Sequence, residues 1–178
     1  MTRSFLLTSF TTWKPHQKSN SSDDLLERIG ECYPHPERLL LLRKLPVHSP
    51  QAIAQTLVSL HSYQPRWVLC CGMAEQRDRL SIESNATQGD KILRPAIDLE
   101  QLIKGLDRVY ISDYAGRFVC EDLYYGVLNE IKSLNLPTRA LFIHVPILCP
   151  DNEEAAIDTF LAILHRLDNQ LDNQLDNQ

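Results

Sequence analysis

The sequence lacks the features that mark several broad classes of protein. It has no excess of positive charge, because 23 Asp and Glu residues outnumber 18 Lys and Arg residues and give a formal net charge of -5. A nucleic-acid-binding protein usually carries a basic face, so we expect no nucleic acid as a partner. No apolar run approaches the roughly 20 residues of a membrane span, and the apolar stretch near the N-terminus is too short for a signal peptide. We therefore expect no membrane partner.

The sequence also lacks a Cys-x-x-Cys pair, a common sign of a zinc site. Its five cysteines are odd in number and two of them are adjacent, which suits a reducing compartment better than a disulfide framework. We expect a cytoplasmic protein with no metal and no cofactor. The simplest structural explanation for most of these thiols is a small buried hydrophobic side chain, and Cys149 could be either buried or exposed.

What the chain does have is a regular alternation of strand-like and helix-like segments. Strands are predicted at residues 5–8, 39–45, 66–71, 109–112 and 141–145, with a short edge strand at 80–83. Helices are predicted at 24–30, 49–61 (capped by Ser49), 97–106, 118–134 and from 152 to about 167, with a loop at 84–95. This rhythm predicts an α/β fold with three layers, in which helices flank a mostly parallel sheet.

The length of 178 residues suits one domain, which we assign to residues 1–167. The remaining residues, 168–178, continue a Leu-Asp-Asn-Gln repeat that occurs three times. Such a polar, low-complexity tail cannot bury a core of its own, so we expect it to be frayed or disordered. A weak extension of the last helix is the alternative, because the leucines recur every four residues.

Two segments carry residues of a cysteine hydrolase. Cys120 falls where a short strand gives way, through a turn at Gly116, to an amphipathic helix, and His144 falls at the end of a later apolar run. A helix N-terminus stabilises a thiolate, and a histidine in contact with it can act as base and then as acid. Glu83 could orient the histidine.

Each of these residues taken singly has a simpler structural explanation: a buried helix cysteine, a histidine bonded to backbone and a solvated carboxylate. Their joint placement favours a site. The loops after Thr8 and Cys71, as well as Cys120 and His144, follow strands, and parallel sheets form sites at the carboxyl ends of their strands. We expect the Cys120 sulfur within hydrogen-bond reach of one His144 nitrogen, with Glu83 near the other.

Three segments of the chain resemble those of the type I pyroglutamyl peptidases, also called pyrrolidone-carboxylate peptidases. Residues 112–120, Ser-Asp-Tyr-Ala-Gly-Arg-Phe-Val-Cys, resemble the family's cysteine segment, and residues 142–146, Phe-Ile-His-Val-Pro, resemble its histidine segment. Residues 72–83 are similar to its Gly-x-Ala-x-x-Arg…Glu segment. The resemblance runs from about residue 5 to about residue 167.

The resemblance implies a cysteine exopeptidase that removes an N-terminal pyroglutamyl or similar small cyclic group from a peptide or small amide. It implies Cys120 as nucleophile, His144 as base and acid, Glu83 as the orienting carboxylate and Arg77 near the developing oxyanion. Phe10 and Trp13 are implied as the aromatic contacts of the substrate ring, with Trp13 in place of the family's second phenylalanine. A homo-oligomer is left open.

Departures from the family pattern keep a second hypothesis open. Asp113 and Glu121 replace asparagines on both sides of the cysteine segment, Asp122 adds a further charge, and the interval from Glu83 to Cys120 is shortened. Negative charge beside a thiol opposes its ionisation. The alternative is a catalytically degenerate family member that works as a binding or scaffold protein. A cysteine hydrolase with another amide substrate is a third, weaker option.

Overall fold

The structure, a computed structural model, describes residues 4–116 and 118–175, with side chains up to residue 169. Its strands are Phe5–Phe10 (β1), Leu39–Leu45 (β2), Trp67–Met73 (β3), Leu80–Glu83 (β4), Ala86–Gln88 (β5), Lys91–Leu93 (β6), Val109–Ser112 (β7) and Arg139–Val145 (β8). Its α-helices are Ser21–Cys32 (α1), Ser49–Tyr63 (α2), Leu99–Ile103 (α3), Val119–Ser133 (α4) and Glu153–Leu175 (α5), and a 3-10 turn spans Pro36–Arg38.

Six of the strands form one sheet in the order β2-β1-β3-β8-β4-β7. Strands β2, β1, β3 and β8 run parallel, whereas β4 pairs antiparallel with β8 and parallel with β7. The short strands β5 and β6 form a separate antiparallel hairpin. The predicted α/β fold with a mostly parallel sheet is confirmed.

Helices cover both faces of the sheet because side chains alternate along each strand. Leu6, Cys70 and Phe142 point to the face that α2 and α4 cover. Their neighbours Leu7, Cys71 and Ile143 point to the face covered by α1, α3 and α5. The adjacent cysteines of β3 are thus buried hydrophobic side chains in two different cores.

The direction of two strands corrects the expectation of where the site residues lie on the sheet. Because β4 and β7 run against the other four strands, β7 ends at the opposite edge of the sheet from β8. The expectation that every candidate follows a strand on one carboxyl edge is therefore wrong. Strand β4 is also not an edge strand, since β8 and β7 pair with its two sides.

Smaller differences concern loops and helix ends. The segment predicted as a loop at 84–95 contains the β5–β6 hairpin, whose three-residue strands are too short to show a period. The cap of α2 is His48 and not Ser49, whose hydroxyl bonds Asp122 on α4. Helix α5 continues to Leu175 and so includes part of the Leu-Asp-Asn-Gln repeat, which is the helical alternative given for the tail. Residues 176–178 lie outside the described part. The division into a domain and a tail stays a prediction.

Candidate active site

One cavity of about 720 Å³ collects most of the residues singled out from the sequence. Five of the six predicted site residues line it: Phe10, Trp13, Arg77, Cys120 and His144. The sixth, Glu83, is fully buried behind His144. The fold thus brings together side chains from β1, β4, β8, the start of α4 and two loops.

A buried hydrogen bond joins His144 to Glu83. Nδ1 of His144 lies 2.7 Å from Oε1 of Glu83, and both side chains are buried. Ser81 pairs with His144 across the antiparallel strands, so Glu83, two residues along β4, extends from the same face. A carboxylate in this position holds the proton on Nδ1 and leaves Nε2 free to act as a base.

Arg77 is held in the wall of the cavity by four acceptors. One guanidinium nitrogen donates to Oε1 of Glu83 at 2.6 Å and to the hydroxyl of Ser81. The other donates to the hydroxyl of Ser112 at 3.2 Å and to the carbonyl of Tyr114 at 2.9 Å. Arg77 therefore links Glu83 to the loop that leads into α4, a set of contacts that the sequence did not indicate.

Cys120 lies in the first turn of α4, after a turn in which Gly116 has a φ of 95°. Only glycine adopts this left-handed backbone without strain. The sulfur packs on Gly72 of β3, where an added Cβ would lie 2.7 Å from Sγ. Within the described residues, no hydrogen bond of 4.0 Å or less joins the Cys120 sulfur to His144.

The electrostatics of the site favour a neutral thiol and a neutral imidazole. Burial raises the pKa of Cys120 to about 12, and the charge of Glu83 adds to this while Arg77 opposes it. Burial also lowers the pKa of His144, against the opposing effect of its bond to Glu83. Burial acts to raise the pKa of Glu83, but His144 and Arg77 outweigh it, so the net pKa is lowered.

The acidic residues beside Cys120 make contacts away from the thiol. Glu121 accepts hydrogen bonds from the backbone and the hydroxyl of Thr87, the latter at 2.7 Å, and so ties α4 to the β5–β6 hairpin. Asp122 bonds Ser49 on α2. Burial is the first cause of the raised pKa of Cys120, and Glu121 is not among the largest causes. Burial is thus the main reason why the Cys120 thiol stays protonated.

The two aromatic residues differ in how firmly they are held. Phe10 closes β1 and is 2% exposed, whereas Trp13 is 37% exposed on the following loop. Both rings line the cavity. The wall of the cavity also includes the apolar side chains of Met73 and Val47.

Sequence reasoning missed several residues of the site: Gly72, Glu75, Ser81 and Ser112. Gly72 and Ser112 stand at fixed positions of the segments quoted for the family resemblance and could have been found there, whereas Glu75 and Ser81 stand at variable positions of the same segments. Ser81 follows from the register of β4 alone. Glu75 stands in a polar loop with no periodic signal, and its contacts come from a loop about 60 residues away.

The described residues show no cluster of three or more His, Cys, Asp or Glu side chains that could hold a metal ion. Among the helices formed by those residues, none combines the length and apolar character that crossing a bilayer requires.

Fold and side chains together define a three-layer α/β protein with the residue types of a cysteine hydrolase in one cavity. Comparison with known proteins narrows this class. The family model for pyroglutamyl peptidase matches residues 95–160. Pyrrolidone-carboxylate peptidase from Mycobacterium marinum is 55% identical over 38 residues, which cover 21% of this chain and 17% of that protein. The enzyme of the same name from Bacillus cytotoxicus is 22% identical over 135 residues, 61% of this chain and 63% of that protein.

Solved structures give the same result for the fold. Pyrrolidone carboxyl peptidase from Thermococcus litoralis superposes with a TM-score of 0.79 at 19% identity and covers 96% of this chain and 95% of its own. Pyroglutamyl peptidase I from Bacillus amyloliquefaciens gives 0.74 at 20% identity, with 93% of each chain covered. The chain therefore shares its fold with the pyroglutamyl peptidases and matches their family model over residues 95–160. It spans less than two thirds of the length of the first curated relatives that it matches.

Proposed function

We propose that this protein is a cysteine exopeptidase that removes an N-terminal pyroglutamyl residue, or a similar small cyclic amide group, from a peptide. The observation that carries the proposal is the 2.7 Å contact between His144 and Glu83 at a cavity that Cys120 also lines. The match of residues 95–160 to the pyroglutamyl peptidase family model and the two aromatic rings at the cavity support the substrate class.

The proposed chemistry starts from a neutral pair. With substrate in the cavity, Nε2 of His144 removes the proton from Cys120, and the sulfur bonds to the carbonyl carbon of the pyroglutamyl group. The imidazolium gives this proton to the nitrogen of the leaving peptide, whose bond to the carbonyl carbon breaks and leaves a thioester. Water, deprotonated by His144, then releases pyroglutamate and restores the thiol.

The surrounding groups have separate roles in this scheme. Glu83 carries a negative charge that stabilises the imidazolium formed in each step. The unpaired N–H groups of the first turn of α4 are the donors that suit the oxyanion. The resemblance implies the oxyanion contact for Arg77, but its four protein acceptors favour a positioning role toward Glu83.

A second function has its own support. The raised pKa of Cys120 and the lack of a hydrogen bond to His144 are the properties of a thiol at rest. They favour a catalytically degenerate member that binds a partner without cleaving it. The two functions differ in whether bound substrate activates the thiol.

The test is cleavage of a pyroglutamyl amide that releases a fluorescent amine. We expect thiol-dependent release by the wild type and none by the Cys120→Ala variant, while Cys149→Ala, at an exposed free cysteine, keeps full activity. A wild type without activity on any such reporter would overturn the pyroglutamyl peptidase function.

We also propose that the protein acts in the cytoplasm. All five cysteines are free, two of them exposed, which suits a reducing compartment. A homo-oligomer stays a prediction, and light scattering of the purified protein measures it directly.

A further inference from the structure

The loop between β1 and α1 carries Trp13 and is bonded to the loop after β3 through one carboxylate, Glu75. The ammonium of Lys14 contacts Oε2 of Glu75. Gln17 donates to Oε1 at 2.9 Å, and His16 lies 3.3 Å from the same oxygen. The bond from Lys14 is the main cause that lowers the pKa of Glu75 to about 2, so the carboxylate is charged at neutral pH.

Gln17 connects this carboxylate to the backbone of Trp13. Its side-chain oxygen accepts from the backbone N–H of Trp13 at 2.9 Å and from that of Lys14 at 3.1 Å, while its amide nitrogen donates to Glu75. The ammonium of Lys14 also lies 5.5 Å from the centre of the Trp13 ring. The orientation of Trp13 is thereby coupled to Glu75 through two side chains.

Polar contacts contribute to the position of Trp13 because burial holds it only in part. Trp13 is 37% exposed and its loop has no strand or helix of its own between β1 and α1. Phe10 differs, because it ends a fully buried strand of the sheet. Glu75 and Trp13 both line the cavity that holds Cys120, so the contacts lie at the mouth of the site.

We propose that Glu75 is a specificity-determining positioning residue: it fixes the loop of Trp13 across the cavity and so sets how closely the indole approaches the cyclic end of the substrate. The role in specificity rests on the proposed function, whereas the fixing of Trp13 does not depend on it. Glu75 touches neither the thiol nor the imidazole, so its effect falls on substrate binding.

The experiment compares wild type with Glu75→Gln and, as a matched control, Glu100→Gln, an exposed carboxylate on α3. The chain has two tryptophans, Trp13 and the fully buried Trp67, so acrylamide quenching of the fluorescence reports on Trp13. Glu75→Gln should raise the quenching constant because it weakens the contacts to Lys14 and Gln17, and the rise should be only about twofold because each polar contact near the surface contributes little. Glu100→Gln should leave the quenching constant unchanged.

Kinetics on the pyroglutamyl reporter give the second readout. We expect KM to rise about fivefold in Glu75→Gln with kcat within about twofold, the sign of lost binding shared by ground and transition states. Gln17→Ala should have the same effect, and the double variant should be no worse than either single variant, since both act through one set of contacts.

The outcomes separate this proposal from the proposed function. Unchanged quenching in Glu75→Gln overturns the fixing of Trp13, even if no reporter is cleaved. Changed quenching with an unchanged KM on a cleaved reporter overturns the role in specificity. Absence of cleavage in the wild type counts against the proposed function alone, and quenching then decides whether Glu75 fixes the loop.

Discussion

Nδ1 of His144 lies 2.7 Å from Oε1 of Glu83, although the two residues belong to strands that run in opposite directions. Glu83 also accepts from Arg77 at 2.6 Å through the same oxygen. The imidazole is therefore oriented by a carboxylate that is itself held by a cation. This arrangement leaves Nε2 of His144 as the nitrogen available for proton transfer.

The first prediction concerns this carboxylate. Glu83→Gln removes the charge that stabilises the imidazolium but keeps the shape of the side chain. We expect kcat on the pyroglutamyl reporter to fall about a hundredfold or more. Thermal unfolding of the same variant checks that the fold persists. A variant that keeps more than half of the wild-type kcat would contradict the role of Glu83.

The second prediction concerns pH. A general base must be neutral to act, and burial lowers the pKa of His144 below its usual value near 6.5. The acid limb of kcat/KM should therefore have its midpoint below pH 6.5, with activity kept as the pH falls through that value. The pH–rate profile measures this midpoint. A midpoint above 6.5 would mean that the charge of Glu83 outweighs burial.

The third prediction concerns the resting thiol. Because the pKa of Cys120 is raised to about 12, its alkylation by iodoacetamide without substrate should be slow at pH 7. The rate should rise about tenfold per pH unit from pH 7 to 9, since only the thiolate reacts. Peptide mapping resolves Cys120 from the exposed Cys32 and Cys149. A rate that is already at its plateau at pH 7 would instead indicate a preformed thiolate.

The fourth prediction concerns Arg77. The cation lowers the pKa of His144 and holds Glu83 in place. In Arg77→Met, the acid limb of the pH profile should move to higher pH, because a repelling charge beside the imidazole is gone. A residue that contacted only the oxyanion would lower kcat without this displacement. An unchanged limb together with a lowered kcat would restore the oxyanion role.

The fifth prediction concerns Gly72. An added Cβ would lie 2.7 Å from the Cys120 sulfur and 3.0 Å from the ring of Phe142. Gly72→Ala should cost about 1–3 kcal/mol of unfolding free energy and displace the thiol, so activity should fall further than stability explains. Gly126→Ala is the matched control, because the nearest atom to its Cβ is a side-chain atom of Ile53 at 3.2 Å. Equal activity in the two variants would show that Cys120 tolerates the displacement.

Much of the fold followed from local patterns. The bounds predicted for the helix of Cys120 differ from α4 by one residue at each end, because its amphipathic spacing and the turn at Gly116 mark its start. The reversed direction of β4 and β7 could not be predicted in this way. A four-residue strand has the same alternation in either direction, and partners far apart in the chain decide which it takes.

In the site too, some contacts could be predicted from the sequence and others could not. The contact between Glu83 and His144 was expected, and so was an aromatic wall with Phe10 and Trp13. The partners of Arg77 and Glu75 were not, because each depends on where loops distant in sequence meet. The acidic residue Glu121 was expected to oppose the thiolate, but its bonds to Thr87 direct the charge toward the β5–β6 hairpin.

Active-site labelling with a pyroglutamyl chloromethyl ketone, followed by peptide mapping, tests directly whether Cys120 is the nucleophile. We expect Cys120 to be alkylated much faster than Cys32 or Cys149, because the cavity brings the reagent to a thiol that His144 can deprotonate. The reaction should be lost in the His144→Gln variant. Two results would contradict the assignment of Cys120 as the nucleophile of a pyroglutamyl-binding site. One is that the exposed cysteines are labelled at the same rate as Cys120, and the other is that no cysteine is labelled.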